Sequence, residues 1–532
     1  MHETSCDILI VGGGTGGCAA AMAACSLGYR VILTEETDWV GGQLTAQAVP
    51  PDEHRWIERF GCTGRYRRYR DLVRQYYRDS TPLIDAARSN PYLNPGSGWV
   101  SQLCHEPKIG WIVLCQMLGE YQANGLLEIR LDSVATKAKV SGDEVSAVQI
   151  RHSKTGEETI VHAKYFLDAT ELGDLLPLTG TEYVIGAESK PQTNEPNAVD
   201  GAPQPDNVQG FTWVFAMAHD EGSHRTIDKP VQYDFWHTFK PAFWPGPFLG
   251  FNDLNPVTGE SRFLPIFGGP KQSWLKGDFG LFTYRQIVDP HQYTESPPRD
   301  PVTIVNWPQN DYFLTSILDQ PAESVAKSLF ESKQLSLSLL YWLQTEAPRH
   351  DGGVGYPGLY LRPDITGTED GFAKAPYIRE SRRIKARFTI LEQHVAAYTN
   401  GGSDRAIDYH DSVGIGSYRL DLHPSTNGVA YIDTATLPFQ IPLGALVPER
   451  MTNLLPACKN LGVTHMTNGC YRLHPVEWNI GESAGLLAAF SLKYSVTPHQ
   501  ISEKTNLFDE FRSLLTEQMV ETAWPVSTVL LQ

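Results

Sequence analysis

A short apolar strand, Ile8-Leu9-Ile10-Val11, runs directly into Gly12-Gly13-Gly14-Thr15-Gly16-Gly17. No other feature restricts the fold of this chain as tightly. A helix of small residues follows, Cys18 to Leu27, and then a second apolar strand, Arg30 to Thr34, that ends at Glu35. This is G-x-G-x-x-G in the setting that gives it meaning: strand, tight turn, helix, strand, acid. Gly12 permits the turn, Gly14 lets a diphosphate reach the backbone, and Gly17 lets the helix pack against the strand. The free amides at Thr15 and Gly16, at the positive end of the helix dipole, are ready to hold that diphosphate. Glu35, or its neighbour Glu36, is placed to accept hydrogen bonds from the adenosine ribose. The unit predicts an α/β chain with a dinucleotide site.

The segment after the acid selects among dinucleotides. Gly41-Gly42-Gln43-Leu44 brings a second glycine pair just beyond Glu35. A nicotinamide site has no need of one, whereas FAD needs the chain to fold back over its ribityl and flavin part without a Cβ in the way. With this "E…GGQL" segment the chain resembles the FAD-dependent oxidoreductase family of the glutathione-reductase-like superfamily. Tyr165 to Asp174 resembles the family's returning strand and turn, with Glu171-Leu172 where Gly-Asp is usual. Tyr377 to Ile384 is similar to its "REsRR" segment, and Asn453 to Gly485 to its closing strand and helix. The resemblance implies FAD as cofactor. It further implies contacts from Gly42, Gln43, Leu44, Ala169, Thr170, Asn460, Asn479, Gly481 and Glu482, with the last helix pointing its N-terminus at the flavin. Val134 follows the strand near Leu131 and suits the adenine edge.

At 532 residues the chain is too long for a single core. The expected architecture is a Rossmann-like FAD-binding domain, discontinuous over residues 1–60, 105–185 and 440–500, with an antiparallel meander. Residues 186–440 read as an inserted α+β substrate or cap domain, and 501–532 as a polar helical tail suited to a homo-oligomer contact. Within the insert, Ala322 to Thr345 and Arg379 to Tyr398 carry helical patterns. On the second, Arg379, Arg382 and Arg383 would share one face. Its many Trp and Phe residues read either as the insert's own core or as an aromatic wall for substrate.

A net charge of −17 argues against nucleic acid and anionic membranes. The basic run Arg65 to Arg78 reads as a solvated helix face. None of the eight cysteines forms a C-x-x-C pair, which disfavours a metal ribbon, an iron–sulfur cluster and a redox disulfide. No metal site is expected. With no basic leader and no long apolar run, the expectation is a soluble cytoplasmic protein.

The densest polar stretch is Thr464 to Pro475. By resemblance, His465 and Arg472 there stand over the flavin. Their chemistry suits His465 as proton acceptor and Arg472 either as carboxylate clamp or as stabiliser of negative charge on the reduced flavin, with Tyr471 and His474 in reserve. His350-Asp351-Gly352-Gly353 reads as a loop beside the site or a simple turn. The leading expectation is oxidation of a small organic molecule by hydride transfer to FAD. Monooxygenation, NAD(P)H-dependent reduction and non-catalytic flavin binding are the alternatives.

Overall fold

A computed structural model describes residues 2–268, 280–296 and 299–525. At its centre is a five-stranded parallel sheet in the order Leu454–Pro456, Tyr165–Asp168, Ile8–Val11, Val31–Thr34, Leu127–Arg130. Ile8 pairs with Val31 on one side and Tyr165 on the other, and Leu454 pairs with Phe166. All four residues of Ile8–Val11 are buried. That explains their unbroken apolar run, since a central parallel strand is covered on both faces.

Two helices cover one face. Thr15–Ser26 lies against His474–Tyr494, and both use small residues at the crossing. A Cβ on Gly481 would fall 2.0 Å from the Gly16 carbonyl oxygen, and one on Gly485 2.4 Å from that of Ala20. The helices therefore touch backbone to backbone. Pro107–Ala123 packs beside them. The meander Ser133–Ser141, Glu144–His152, Glu158–His162 is antiparallel, and His2–Ser5 adds to its edge in parallel.

Between residues 186 and 440, the strand Phe215–His219 pairs with Val302–Val305 and Leu359–Leu361. Its alternate residues go to opposite sides, as the two-residue period of a strand dictates. Ala216 and Ala218 join the core that contains the parallel sheet's helices. Phe215 and Met217 enter a second core with Trp236, Trp244 and Phe248. Ala322–Thr345 is a 24-residue helix along that second core.

Two sequence expectations need correction. Arg379 to Tyr398 is not a helix. It runs extended through Arg383–Ile384 and reaches only short turns at Glu392–Val395 and Ala397–Thr399. Its three arginines diverge to separate carboxylates: Arg379 to Asp311 at 3.0 Å, Arg382 to Asp319 at 2.8 Å and Arg383 to Glu188 at 2.8 Å. The basic run does form a helix, Gly64–Ser80, but Arg70 and Arg74 are buried because Glu53 and Glu58 pair with them. The tail packs onto the body through Phe508, Phe511 and Leu515 of Thr505–Glu517, while 526–532 lie outside the described residues. No described helix is long and apolar enough to cross a membrane.

Candidate active site

A cleft of about 170 Å³, open to solvent, runs along the carboxyl ends of the parallel strands. This is the ligand position of open α/β sheets. Gly12, Gly14, Glu35, Glu36, Gly42, Val134, Ala169 and Thr170 line it, and these are residues singled out by sequence. Gly12 has φ +100°, and a Cβ there would strike the Ala169 carbonyl oxygen at 2.3 Å. The two glycine turns lean on each other: a Cβ on Gly42 would lie 2.9 Å from the Gly14 Cα. Thr15 fixes this approach by donating its hydroxyl to the Gly41 carbonyl at 2.9 Å. The helix Thr15–Ser26 starts without a side-chain cap, so its first amides face the cleft as an anion cradle. These features fit the diphosphate of FAD.

Glu35 is positioned from both ends of its own residue. Its backbone nitrogen donates to the Arg130 carbonyl, and its carbonyl accepts from Ser133, which brings Val134 onto the cleft. Its carboxylate accepts from the Gly13 amide at 3.0 Å and from the Thr37 amide and hydroxyl at 2.9 and 2.8 Å. Burial, followed by the charge of Glu36, nonetheless pushes the Glu35 carboxyl up to about 8. Burial with Asp174 and Glu171 nearby lifts Glu36 to about 7. A proton on Glu35 removes a ribose acceptor, so FAD affinity should rise with pH up to about 8 and then level. Without cofactor the sign reverses for folding: the raised carboxyls should cost stability as pH climbs from the ordinary carboxylate range toward 8. Glu35→Gln should weaken FAD by roughly 1–2 kcal/mol at high pH and flatten the pH profile. Calorimetric titration of apo-protein checks both.

Several lining residues carry no sequence motif. Ala46, Gln47, Ser133, Ile317, Val325, Leu329, Ala375 and Ile378 complete the walls. The aliphatic wall comes from the stretch whose aromatics were candidates for this role, and those aromatics fill the second core instead. Glu171 places its carboxylate over both glycine turns and pairs with the fully buried Lys459. Lys459 also lies 3.5 Å from Glu477, to which Gln43 donates at 2.7 Å. A lysine inside the apolar run Leu454 to Leu461 was the available signal, and it went unread.

Other sequence candidates do not line the cleft. Gly16 and Gly481 are the helix crossing described above, and Gly17 packs on the Gly12 carbonyl, 2.0 Å from where its Cβ would be. Leu44 is core. Asn460 donates to the Asp168 carbonyl at 3.0 Å. Asn479 donates to the Val413 carbonyl at 3.2 Å, and Glu482 pairs with Arg65 at 2.6 Å. Their side chains bind the protein's own backbone and charges.

The catalytic candidates scatter for the same reason. His465 Nδ1 lies 2.9 Å from Glu380, and its ring edges a separate crevice with Glu188, Glu195 and Asn197. Despite burial, which works the other way, His465 and Arg383 hold the Glu380 carboxyl down to about 2. Tyr471 is buried and donates to the Gln440 carbonyl at 2.7 Å. His474 Nδ1 accepts from the Asp52 amide at 3.0 Å, and burial beside Arg285 drives its pKa well down. Arg472 alone touches the cleft's own frame, through Gln43 and Tyr377. As proton acceptor, His465 on loss should slow flavin reduction roughly 10²- to 10⁴-fold. As a brace held to Glu380, it should on loss lower the melting temperature and leave the rate within a few-fold of wild type. Anaerobic stopped-flow reduction and a thermal scan separate the two. His350 lies in an exposed turn bridged by Arg349 and Asp351. Among the described residues, no group of three or more His, Cys, Asp or Glu is placed to hold a metal.

A parallel sheet whose first turn cradles a diphosphate, with a second glycine turn beside it, defines a flavin-dinucleotide protein. The chain belongs to the FAD dependent oxidoreductase family, which matches residues 7–515. It is an enzyme, and its cofactor is FAD. Among solved structures it is similar to a geranylgeranyl bacteriochlorophyll reductase-like protein from Thermoplasma acidophilum. That match has 11% identity and a TM-score of 0.34, covering 98% of this chain and 85% of that one. For an anhydrotetracycline hydroxylase from Streptomyces rimosus the identity is 9% and the TM-score 0.34, over 97% and 68% of the two chains. For L-proline dehydrogenase from P. horikoshii they are 15% and 0.18, over 36% of this chain and only 25% of that one. Scores this low carry no shared activity. No curated protein matches in sequence.

Proposed function

We propose that this enzyme oxidises a small organic substrate by hydride transfer, as a dehydrogenase or oxidase. The observation that carries this reading is the make-up of the cleft beyond the glycine turns. There the walls are Ala46, Ala375, Pro376, Ile378 and the aliphatic side chains Ile317, Val325 and Leu329. Such a surface suits a small, partly apolar molecule. A second nicotinamide dinucleotide held in place would call for another strand–glycine–helix unit, and the sequence contains one such unit only. FAD, when bound, supplies the two-electron acceptor. The chain's part is to bind and orient the substrate.

Anaerobic mixing of the yellow holoprotein with a panel of small organic acids, amines and alcohols tests this reading. Bleaching by a member of the panel is the expected result. Rapid bleaching by NADPH alone, with none by the panel, would replace it with reduction or monooxygenation. Purified protein that releases no flavin on denaturation would remove the cofactor itself.

A further inference from the structure

Arg285 is a buried cation whose hydrogen-bonding capacity is almost unused. A guanidinium has five N–H donors. Here Nη1 makes one long contact, 3.5 Å to the Asp52 carboxylate, and Nε has no partner. Arg285 is only 9% exposed, so donors left unpaired there are costly. Arg472, 3% exposed, is the second such group. Its Nη1 donates to the Tyr377 hydroxyl at 2.9 Å and its Nη2 to the Asp421 carbonyl at 3.0 Å, while Nε is again unpartnered.

The two arginines belong to one polar cluster. Both act on the Asp52 carboxyl, and the Asp52 amide is tied to His474. That cluster is joined to the cleft through chain neighbours of its lining residues. Tyr377 stands between the lining residues Pro376 and Ile378, and Gln43, on the second glycine turn, donates to the Arg472 carbonyl at 2.8 Å. Gln47, five residues before Asp52, lines the cleft and leaves its Oε1 unpartnered.

We propose that Arg285 and Arg472 form the anion-binding end of the substrate site and that the substrate carries a carboxylate. The proposal rests on the reading that the cleft beyond the glycine turns receives substrate. Guanidinium forks match planar carboxylates in charge and shape. A phosphate dianion fits less well, because Asp52 and Asp421 offset much of the positive charge. Asp421 is engaged by both Arg472 and His423, each 3.6 Å away. Asp52 is the one carboxylate paired with Arg285 among the described residues, and its burial raises its pKa and weakens it as a counter-ion.

The test is calorimetric titration of oxidised holoprotein with acetate, propionate and benzoate against the corresponding neutral amides. The acids should bind roughly 10- to 100-fold more tightly than the amides, the ratio expected for charge-assisted hydrogen bonds. Arg285→Gln should abolish that preference while FAD content and melting temperature hold. Should that variant fail to fold, Arg285→Lys keeps the charge without the fork and should lose part of the preference. Equal binding of acids and amides, wild-type acid affinity in Arg285→Gln, or no acid binding at millimolar concentration would each overturn the proposal. The titration involves no turnover, so a failure of the oxidation reading, seen as bleaching by NADPH alone, is distinguishable from a failure here.

Discussion

Gly481→Val should leave little or no soluble protein. A Cβ at this position lies 2.0, 2.4 and 2.5 Å from the carbonyl oxygen, carbonyl carbon and Cα of Gly16. All three are backbone atoms of the helix Thr15–Ser26, and none can rotate away. To fit a valine, the two long helices over the parallel sheet must separate, exposing the small residues both bury at their crossing. Inserting a methylene into a core with movable neighbours costs about 1–3 kcal/mol. A collision of backbone with backbone should exceed that and reach ~4 kcal/mol or more, enough to unfold a marginally stable protein. Soluble yield and thermal unfolding measure it. A variant with the wild-type melting temperature would mean that the helices do not cross as described.

Gly14→Val should give the opposite outcome: a folded, soluble and colourless protein. Gly14 has φ −64° and ψ −172°, an extended conformation open to any residue. The nearest atoms to a Cβ there are the Glu171 Oε1 at 3.0 Å, the mobile end of a side chain, and the Ala169 carbonyl oxygen at 3.6 Å. The fold has room for the substitution, but the anion cradle does not. The valine methyls would fill the space through which a diphosphate reaches the helix amides, so FAD occupancy should fall to background. Yellow protein at full occupancy would contradict this. The two glycines share a motif vocabulary and differ in what a Cβ would meet.

That contrast shows where sequence reading succeeds. The strand, turn and acid of residues 8–35 were legible because each step is local and each glycine has a chain neighbour that explains it. The helix Ala322–Thr345 was legible from its periodicity. Residues 379–398 were misread because arginines at helical spacing also suit an extended strand whose partners, Asp311, Asp319 and Glu188, lie far away in sequence. The partners of the closing helix were hidden for the same reason. Nothing near Asn479 or Glu482 announces that Val413 and Arg65 will occupy them. His465 looked available because Glu380 is 85 residues upstream. Lys459 and Arg285 were missed because a single buried cation has no pattern, and its meaning comes only from the company it keeps in space.

The parallel sheet also sets a timetable for synthesis. Its edge strand Leu454–Pro456 pairs with Tyr165–Asp168, and the helix His474–Tyr494 belongs beside Thr15–Ser26, made hundreds of residues earlier. From Ser26 to His474 the ribosome must add 448 residues (474 − 26), which at ~5–20 residues per second takes about 20–90 s. Throughout that interval the nascent glycine turn has a helix whose apolar side lacks its partner. Flavin loading therefore waits for His474–Tyr494, and the early helix needs shelter, from a chaperone or from provisional contacts with the segments that emerge behind it.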